Sequence, residues 1–193
     1  MEGQKQKHAF DSSKFENLVL FIVSKCPDPT KLGAVRLRKI LYYSDSLNYL
    51  YSGHAITGAT YVKWSGGPVP RELSRTLQAL EQQGAIKVKP DVHPLGYPMT
   101  HYYAFKDSDL REFSAQEISL VDEVIQAICH KHTAESISRL SHHNAWKVAE
   151  IGEELPYESV FAWCFGEINE EAVAWAKREI EKYEARETKA ATR

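Results

Sequence analysis

The stretch LRKILYYSDSLNYLYSGHAITGATYVKWSGGPVP, residues 37–70, changes character three times, and those changes decide the fold. Leu32, Val35, Ile40, Leu41, Leu47 and Leu50 recur at helical spacing and predict a long, tyrosine-rich helix over 30–52. Gly53 is placed to close it in a left-handed conformation. From Ile56 to Trp64 the β-branched and aromatic residues, punctuated by Gly58, fit a short strand. Ser65-Gly66-Gly67-Pro68-Val69-Pro70 is then a run of breakers, expected to hold no regular structure, with Pro70 opening the next helix.

Working upstream, Ser13 and Glu16 stand in capping-box spacing ahead of Phe15, Leu18, Val19, Ile22 and Val23, an apolar stripe of helical period. That helix is expected to stop at Cys26, because Pro27 and Pro29 forbid its continuation. Residues 1–12 have little apolar content and are read as a mobile leader. Downstream, Leu73, Leu77 and Leu80 form a helix that Gly84 ends, and 85–89 with 100–106 form an antiparallel hairpin around Pro94-Leu95-Gly96-Tyr97-Pro98. Ser114 and Glu117 give a capping box, Phe113 and Ile118 a hydrophobic staple, and Ile118, Val121, Ile125 and Ile128 the buried stripe of the helix they open. A shorter helix over 136–141 precedes the break His142-His143-Asn144, and Pro156 opens a turn or helix through Phe161. The domain is expected to span 13–168, followed by an amphipathic helix over 169–187 that Asn169 caps, and a polar tail over 188–193. The bland role of that terminal helix, through Val173, Ala176, Ile180 and Tyr183, is docking onto the parent domain. With no alternation of strand and helix, the fold class is α+β: a mainly helical single domain with a small antiparallel sheet in the middle third.

Chain length of 193 residues fits one domain with extensions, and 43% hydrophobic with 26% charged residues excludes a disordered chain. The 24 basic and 26 acidic residues leave a formal charge of −2, which argues against non-specific nucleic-acid binding. The aliphatic block from Leu18 to Val23 is far shorter than a membrane span or a signal-peptide core. Cys26, Cys129 and Cys164 are odd in number and widely separated, which suits a reducing compartment, so the cytoplasm is the expected location.

Familiar catalytic patterns are missing. His130 with His132, and His142 with His143, lack metal-ligand spacing, and neither HExxH nor a CxxC pair is present, so no metal or cofactor is expected. There is no GxSxG elbow and no phosphate-binding glycine loop, and Cys164, between Trp163 and Phe165, reads as core. Asp45 beside Tyr42 and Tyr43 is a single carboxylate, expected to serve as a cap, an ion pair or a tyrosine acceptor rather than a general acid, and a hydrolase built on His142 and Asp45 is a minor reading. The expectation is therefore not an enzyme. Leu73, Leu77 and Leu80 with the following hairpin also resemble the recognition helix and wing of winged-helix regulators, with Arg71 and Arg75 toward DNA. Glu72 and Glu81 on the same helix weaken that footprint.

One set of residues points to a family. Lys31-Leu32, Leu37-Arg38-Lys39-Ile40-Leu41-Tyr42-Tyr43-Ser44-Asp45, Gly53, Ile56-Thr57-Gly58, Tyr61, Trp64 and Gly67-Pro68-Val69 occur in the order of a KLLYYAD-like helix, an (I/L)TG turn, an aromatic strand and a GPV turn. Ile137, Leu140-Ser141-His142 and Trp146 match a second, serine-histidine motif followed by tryptophan. This pattern resembles the Panacea domain, which includes the SocA-like antitoxins, over roughly residues 14–165. Ser44 stands where the family usually has alanine, and Gly66 where an aromatic often precedes GPV. The resemblance implies an antitoxin of a two-gene system that neutralises a cognate protein toxin by direct contact, in some members also handing it to a protease. It further implies association with phages and mobile elements.

Tyr42, Tyr43, Tyr61, Trp64 and Trp146 are large amphipathic side chains able to fill a core gap or a partner pocket, and core is the expected role for most of them. Gly58, Gly67 and Pro68 read as backbone requirements, with the partner face beside them.

Overall fold

Within the first of two compact units, the helix over 29–52 is the element that packs against the largest number of others. The computed structural model describes residues 9–26 and 28–164, with side chains through residue 161. The expected helix over 169–187, the tail, and a core role for Cys164 lie outside these residues. The chain divides into two compact units, Met1–Val160 and Phe161–Arg193; of the second only the helical turn 161–164 is described, and everything below concerns the first.

In chain order the elements are α1 (Ser12–Lys25), α2 (Pro29–Ser52), β1 (Tyr61–Trp64), β2 (Gly67–Pro70), α3 (Leu73–Gln82), β3 (Ile86–Val92), β4 (Pro98–Ala104), α4 (Ala115–Lys131), α5 (Ala134–Leu140), α6 (Asn144–Val148) and α7 (Ser159–Cys164). Two antiparallel two-stranded sheets, β1 with β2 and β3 with β4, sit in a mainly helical body, which is the α+β class read from the sequence. No helix among the described residues is long and apolar enough to cross a membrane.

The cap of α1 differs from its capping-box reading: Asp11 is the cap, its Oδ1 accepting the Lys14 N–H at 2.9 Å, while Ser13 Oγ donates instead to Glu112. Phe15, Leu18, Val19, Ile22 and Val23 are all buried, and the helix ends at Cys26 as the prolines require. α2 begins with Asp28 accepting from Thr30 N–H and closes at Gly53, whose φ of +75° is the left-handed cap. Gly33, at φ +62° and ψ 165°, interrupts its beginning, a break the apolar periodicity does not reveal. α2 packs against α1, α4, α5, β2 and β4, so most of its faces are covered. Burial therefore reaches Lys39, Ser44, Asp45 and Ser46 together with Leu37, Ile40 and Leu41.

The middle third departs from the reading of its breakers. Only Tyr61–Trp64 of the expected strand over 56–64 is extended pairing, and Gly67–Pro70 is its partner strand rather than irregular chain. Pro68 lies opposite Lys63 and Pro70 opposite Tyr61. At those two positions β1 turns its own backbone the other way: Lys63 N–H donates to Glu153 O and Lys63 O accepts from Gly152 N–H, both at 2.9 Å, while Tyr61 O accepts from Leu155 N–H at 2.8 Å. The prolines occupy the positions where no ladder donor is needed, which is how a Pro-x-Pro strand is tolerated. Pro70 consequently ends a strand, and α3 starts at Leu73 behind Glu72.

The hairpin is present with longer arms than expected, Ile86↔Ala104 through Val92↔Pro98. α4 opens on the full capping box: Ser114 Oγ accepts from Glu117 N–H at 3.2 Å and Glu117 Oε2 from Ser114 N–H at 2.8 Å. Val121, Val124, Ile125, Ile128 and Cys129 form its buried face.

Candidate functional site

Two clusters carry most of the residues that the sequence singled out, and both are organised by α2. The first is centred on Asp45, which has no exposed surface. Its Oδ1 accepts the Thr57 N–H at 2.8 Å; its Oδ2 accepts the Thr57 hydroxyl and the Tyr61 hydroxyl, each at 2.7 Å. The Ile56-Thr57-Gly58 turn is thereby clamped onto α2, and Asp11 N–H reaches its far side, donating to Thr57 O at 2.9 Å. Gly58, at φ +68°, lies where a Cβ would come within 2.5 Å of the Ala9 carbonyl oxygen, so the turn requires glycine.

Aromatic rings surround the carboxylate. Tyr61 meets Tyr42 and Tyr157 edge to face at 5.2 and 5.9 Å, Tyr42 meets Tyr43 at 5.4 Å, and Tyr157 donates its hydroxyl to Ala59 O at 2.6 Å. Tyr42 and His143 share a 2.6 Å hydrogen bond. Burial raises the Asp45 pKa against the pull of its donors, and raises the Tyr42 hydroxyl to about 12. Burial, with His142 alongside, depresses His143 to about 4, so that ring is neutral at physiological pH. Among the described residues no cation pairs with Asp45. It serves as a tyrosine and turn acceptor, one of the structural roles read for it.

The second cluster joins the two sequence motifs. Lys39 on α2 is 1% exposed, and its Nζ donates to Pro68 O at 3.4 Å. Gly67 has φ +104°, and a Cβ there would lie 2.2 Å from Lys39 Nζ and 2.5 Å from Ser141 Oγ. α2, β2 and the end of α5 therefore converge on one glycine. Ser141, fully buried, donates to Ser138 O at 2.7 Å, and Ser138 Oγ donates to Gly66 O at 2.9 Å. The next residue, His142, stacks on Trp146 with ring centroids 3.7 Å apart and 3° between planes. Lys63 Nζ covers the Trp146 ring at 4.4 Å and donates to Ala149 O at 2.8 Å, and Trp146 Nε1 donates to Trp64 O at 3.2 Å. Burial and the nearby Lys39 lower the His142 pKa.

Burial without an acidic partner brings the Lys39 amine down to about 7. An unfolded lysine titrates near 10.4, so between about 7 and 10 the unfolded chain binds a proton that the folded chain does not. Stability accordingly rises with pH across that window and is lost as pH falls toward 7. The groups facing Lys39 are Gly67, Pro68 and Ser141, with Arg38 the nearby charge and His142 a nearby ring whose own pKa is lowered. In urea unfolding at pH 7 and pH 9, the wild-type midpoint rises with pH and that of Lys39→Met does not; equal slopes would refute the buried amine.

Trp64 corrects the expected core assignment. Its side chain is 52% exposed, because it ends β1 beside the turn and only its carbonyl is engaged by Trp146. Tyr42, Tyr43 and Tyr61 are buried, and Trp146 is half-buried. Trp64→Ala therefore leaves stability within about 1 kcal/mol, as expected for an exposed side chain, and thermal melting checks this. Arg71 pairs with Glu154 at 2.9 Å and its N–H donates to Thr60 O, while Arg75 is exposed on α3; neither belongs to the two clusters. Lys39, Thr57 and Ser141, which stand within the family motifs, and His143 and Tyr157 also form the site, and the sequence assigns none of the five a contact there. The signal for Lys39 is its helical register with Tyr42, Tyr43 and Ser46.

An α+β scaffold with an acceptor-centred tyrosine cluster, joined through a GPV turn to a serine-histidine-tryptophan segment, is the geometry these motifs define. Residues 37–147, more than half of the chain, match the family described as antitoxin SocA-like, Panacea domain, and the chain belongs to that family. Comparison with curated proteins and with solved structures returned no match.

Proposed function

We propose that this chain is an antitoxin that binds a protein toxin directly, in the cytoplasm, through the exposed face beside Trp64, and that it catalyses no reaction of its own. The observation that carries this reading is the placement of Trp64: a half-exposed indole at the end of a strand locked on both edges. The backing is stiff, since Lys63, Trp146 and His142 are stacked and hydrogen-bonded behind it. Leu140, Val148 and Ile151, on the segments that this stack fixes, are 59, 84 and 60% exposed. Rigid aromatic anchors with exposed apolar neighbours are what a protein interface uses. Asp45 is enclosed by its three donors, Lys39 is enclosed by β2 and α5, and the His142 ring lies flat against Trp146.

Delivery of the captured toxin to a protease is a further step in the same reading, resting on family resemblance. Co-expression with the adjacent gene tests the proposal: that gene alone arrests growth, and the full chain restores growth and co-purifies with its product. A harmless neighbour, or one still toxic beside this chain, would overturn the antitoxin reading. A salt-sensitive shift of promoter DNA without any co-purification would favour the winged-helix alternative through Arg71 and Arg75.

A further inference from the structure

Away from both clusters, two thiols from distant parts of the chain are brought together. Cys26 caps α1 and Cys129 lies near the end of α4, 103 residues on; their sulfurs are 3.6 Å apart and both are free. A disulfide needs about 2.05 Å, so the sulfurs must approach by roughly 1.5 Å. Their surroundings are electropositive. Arg36 donates to Lys31 O at 2.6 Å and to His132 O at 2.8 Å, leaving its buried Nε–H without an acceptor among the described residues. The hydrogen bond between the two sulfurs lowers the Cys129 pKa, helped by Arg36 and Lys31, and raises that of Cys26. Of the two, Cys129 is the thiol more easily deprotonated and Cys26 the one less easily. Access is narrow: Cys26 and Cys129 are 7 and 8% exposed, and Cys26 borders an open groove of about 510 Å³ between Val23 and Phe105.

We propose that Cys26 and Cys129 form a peroxide-responsive thiol pair that closes to a disulfide joining α1 to α4. The Cys129 thiolate attacks one oxygen of hydrogen peroxide, the O–O bond breaks, and the departing oxygen takes a proton and leaves as water. The resulting Cys129 sulfenic acid is attacked at sulfur by Cys26, whose thiol proton leaves with the displaced hydroxyl as a second water. Two thiols and one peroxide give one disulfide and two waters; each sulfur gives up one electron and the peroxide gains two. Hydrogen peroxide is small enough for so enclosed a thiolate, where a bulky disulfide reagent is hindered. The bond closes a loop of 103 residues, restricting the unfolded chain.

The test uses the full chain with Cys164→Ser, reduced and then given one equivalent of hydrogen peroxide. Its intact mass falls by about 2 Da, a peptide linking Cys26 to Cys129 appears, the melting temperature rises by roughly 10 °C, and reductant reverses all three. Under the same treatment Cys26→Ser gives no cross-link, and a dimedone adduct marks its Cys129. Should either variant fail to fold, peptide mapping of the wild-type chain decides the matter by the same linked peptide. Retention of both reactive thiols, or oxidation of Cys129 to the sulfinic acid without that peptide, overturns the proposal.

Discussion

Replacing Asp45 by alanine lowers the unfolding free energy by about 5 kcal/mol. The change leaves three donors, Thr57 N–H, Thr57 hydroxyl and Tyr61 hydroxyl, buried without an acceptor. Each orphaned group costs roughly 1–3 kcal/mol, and the space vacated inside a closed cluster adds to that. Domains of this kind have only about 5–15 kcal/mol in hand, so much of the Asp45→Ala protein is unfolded without stabilising additives. Asp45→Asn keeps the shape and one carbonyl acceptor but turns an amide donor toward donors, and falls between the two at about 2–3 kcal/mol. Urea unfolding of the three proteins checks the order wild type, Asn, Ala. A loss below about 1 kcal/mol for alanine would mean that the carboxylate does not clamp the 56–58 turn to α2.

Gly67→Ala is the second large loss, at about 4 kcal/mol, and Gly66→Ala is its control. At Gly67 two penalties coincide: a φ of +104° that side chains rarely adopt, and a Cβ 2.2 Å from Lys39 Nζ and 2.5 Å from Ser141 Oγ. Backbone strain of this kind costs roughly 1–3 kcal/mol and overpacking about as much again. The lysine end is flexible in principle, but at 1% exposure it has nowhere to swing. Gly66, the preceding residue, has nothing within 4 Å of its Cβ position and no positive φ, so alanine there changes stability by less than about 0.5 kcal/mol. Similar melting curves for the two variants would show that Lys39, Gly67 and Ser141 are not tightly packed.

Where a local signal decides, the fold is legible in the sequence. The Cys26 stop, the Gly53 cap and the Ser114–Glu117 box depend on residues within one helical turn, and all three stand in the structure. Where distant chain decides, it is not. Ser13 lies one residue inside the helix that Asp11 caps, and its hydroxyl reaches Glu112, 99 residues away. The Gly67–Pro70 run becomes a strand because residues 152–155 satisfy the other edge of β1. The burial of Lys39 is not legible because lysine is ordinarily a surface residue, and only the convergence of β2 and α5 on α2 encloses it. Trp64 fails as a core residue for the converse reason: an aromatic strand end need not point inward, and nothing in its neighbours specifies that it does. Of the candidate site, the Asp45 and Trp146 groupings are visible as motifs, whereas their separation into an enclosed cluster and an exposed face requires the fold.

The decisive measurement is growth of cells co-expressing the adjacent gene with either the wild-type chain or Trp64→Asp, paired with melting curves of both purified chains. Trp64→Asp is expected to melt within a few degrees of wild type yet to fail to restore growth and no longer co-purify with the toxin, because the charge replaces an exposed anchor and leaves the scaffold intact. Full rescue by a normally folded Trp64→Asp chain would refute the assignment of this face to the toxin.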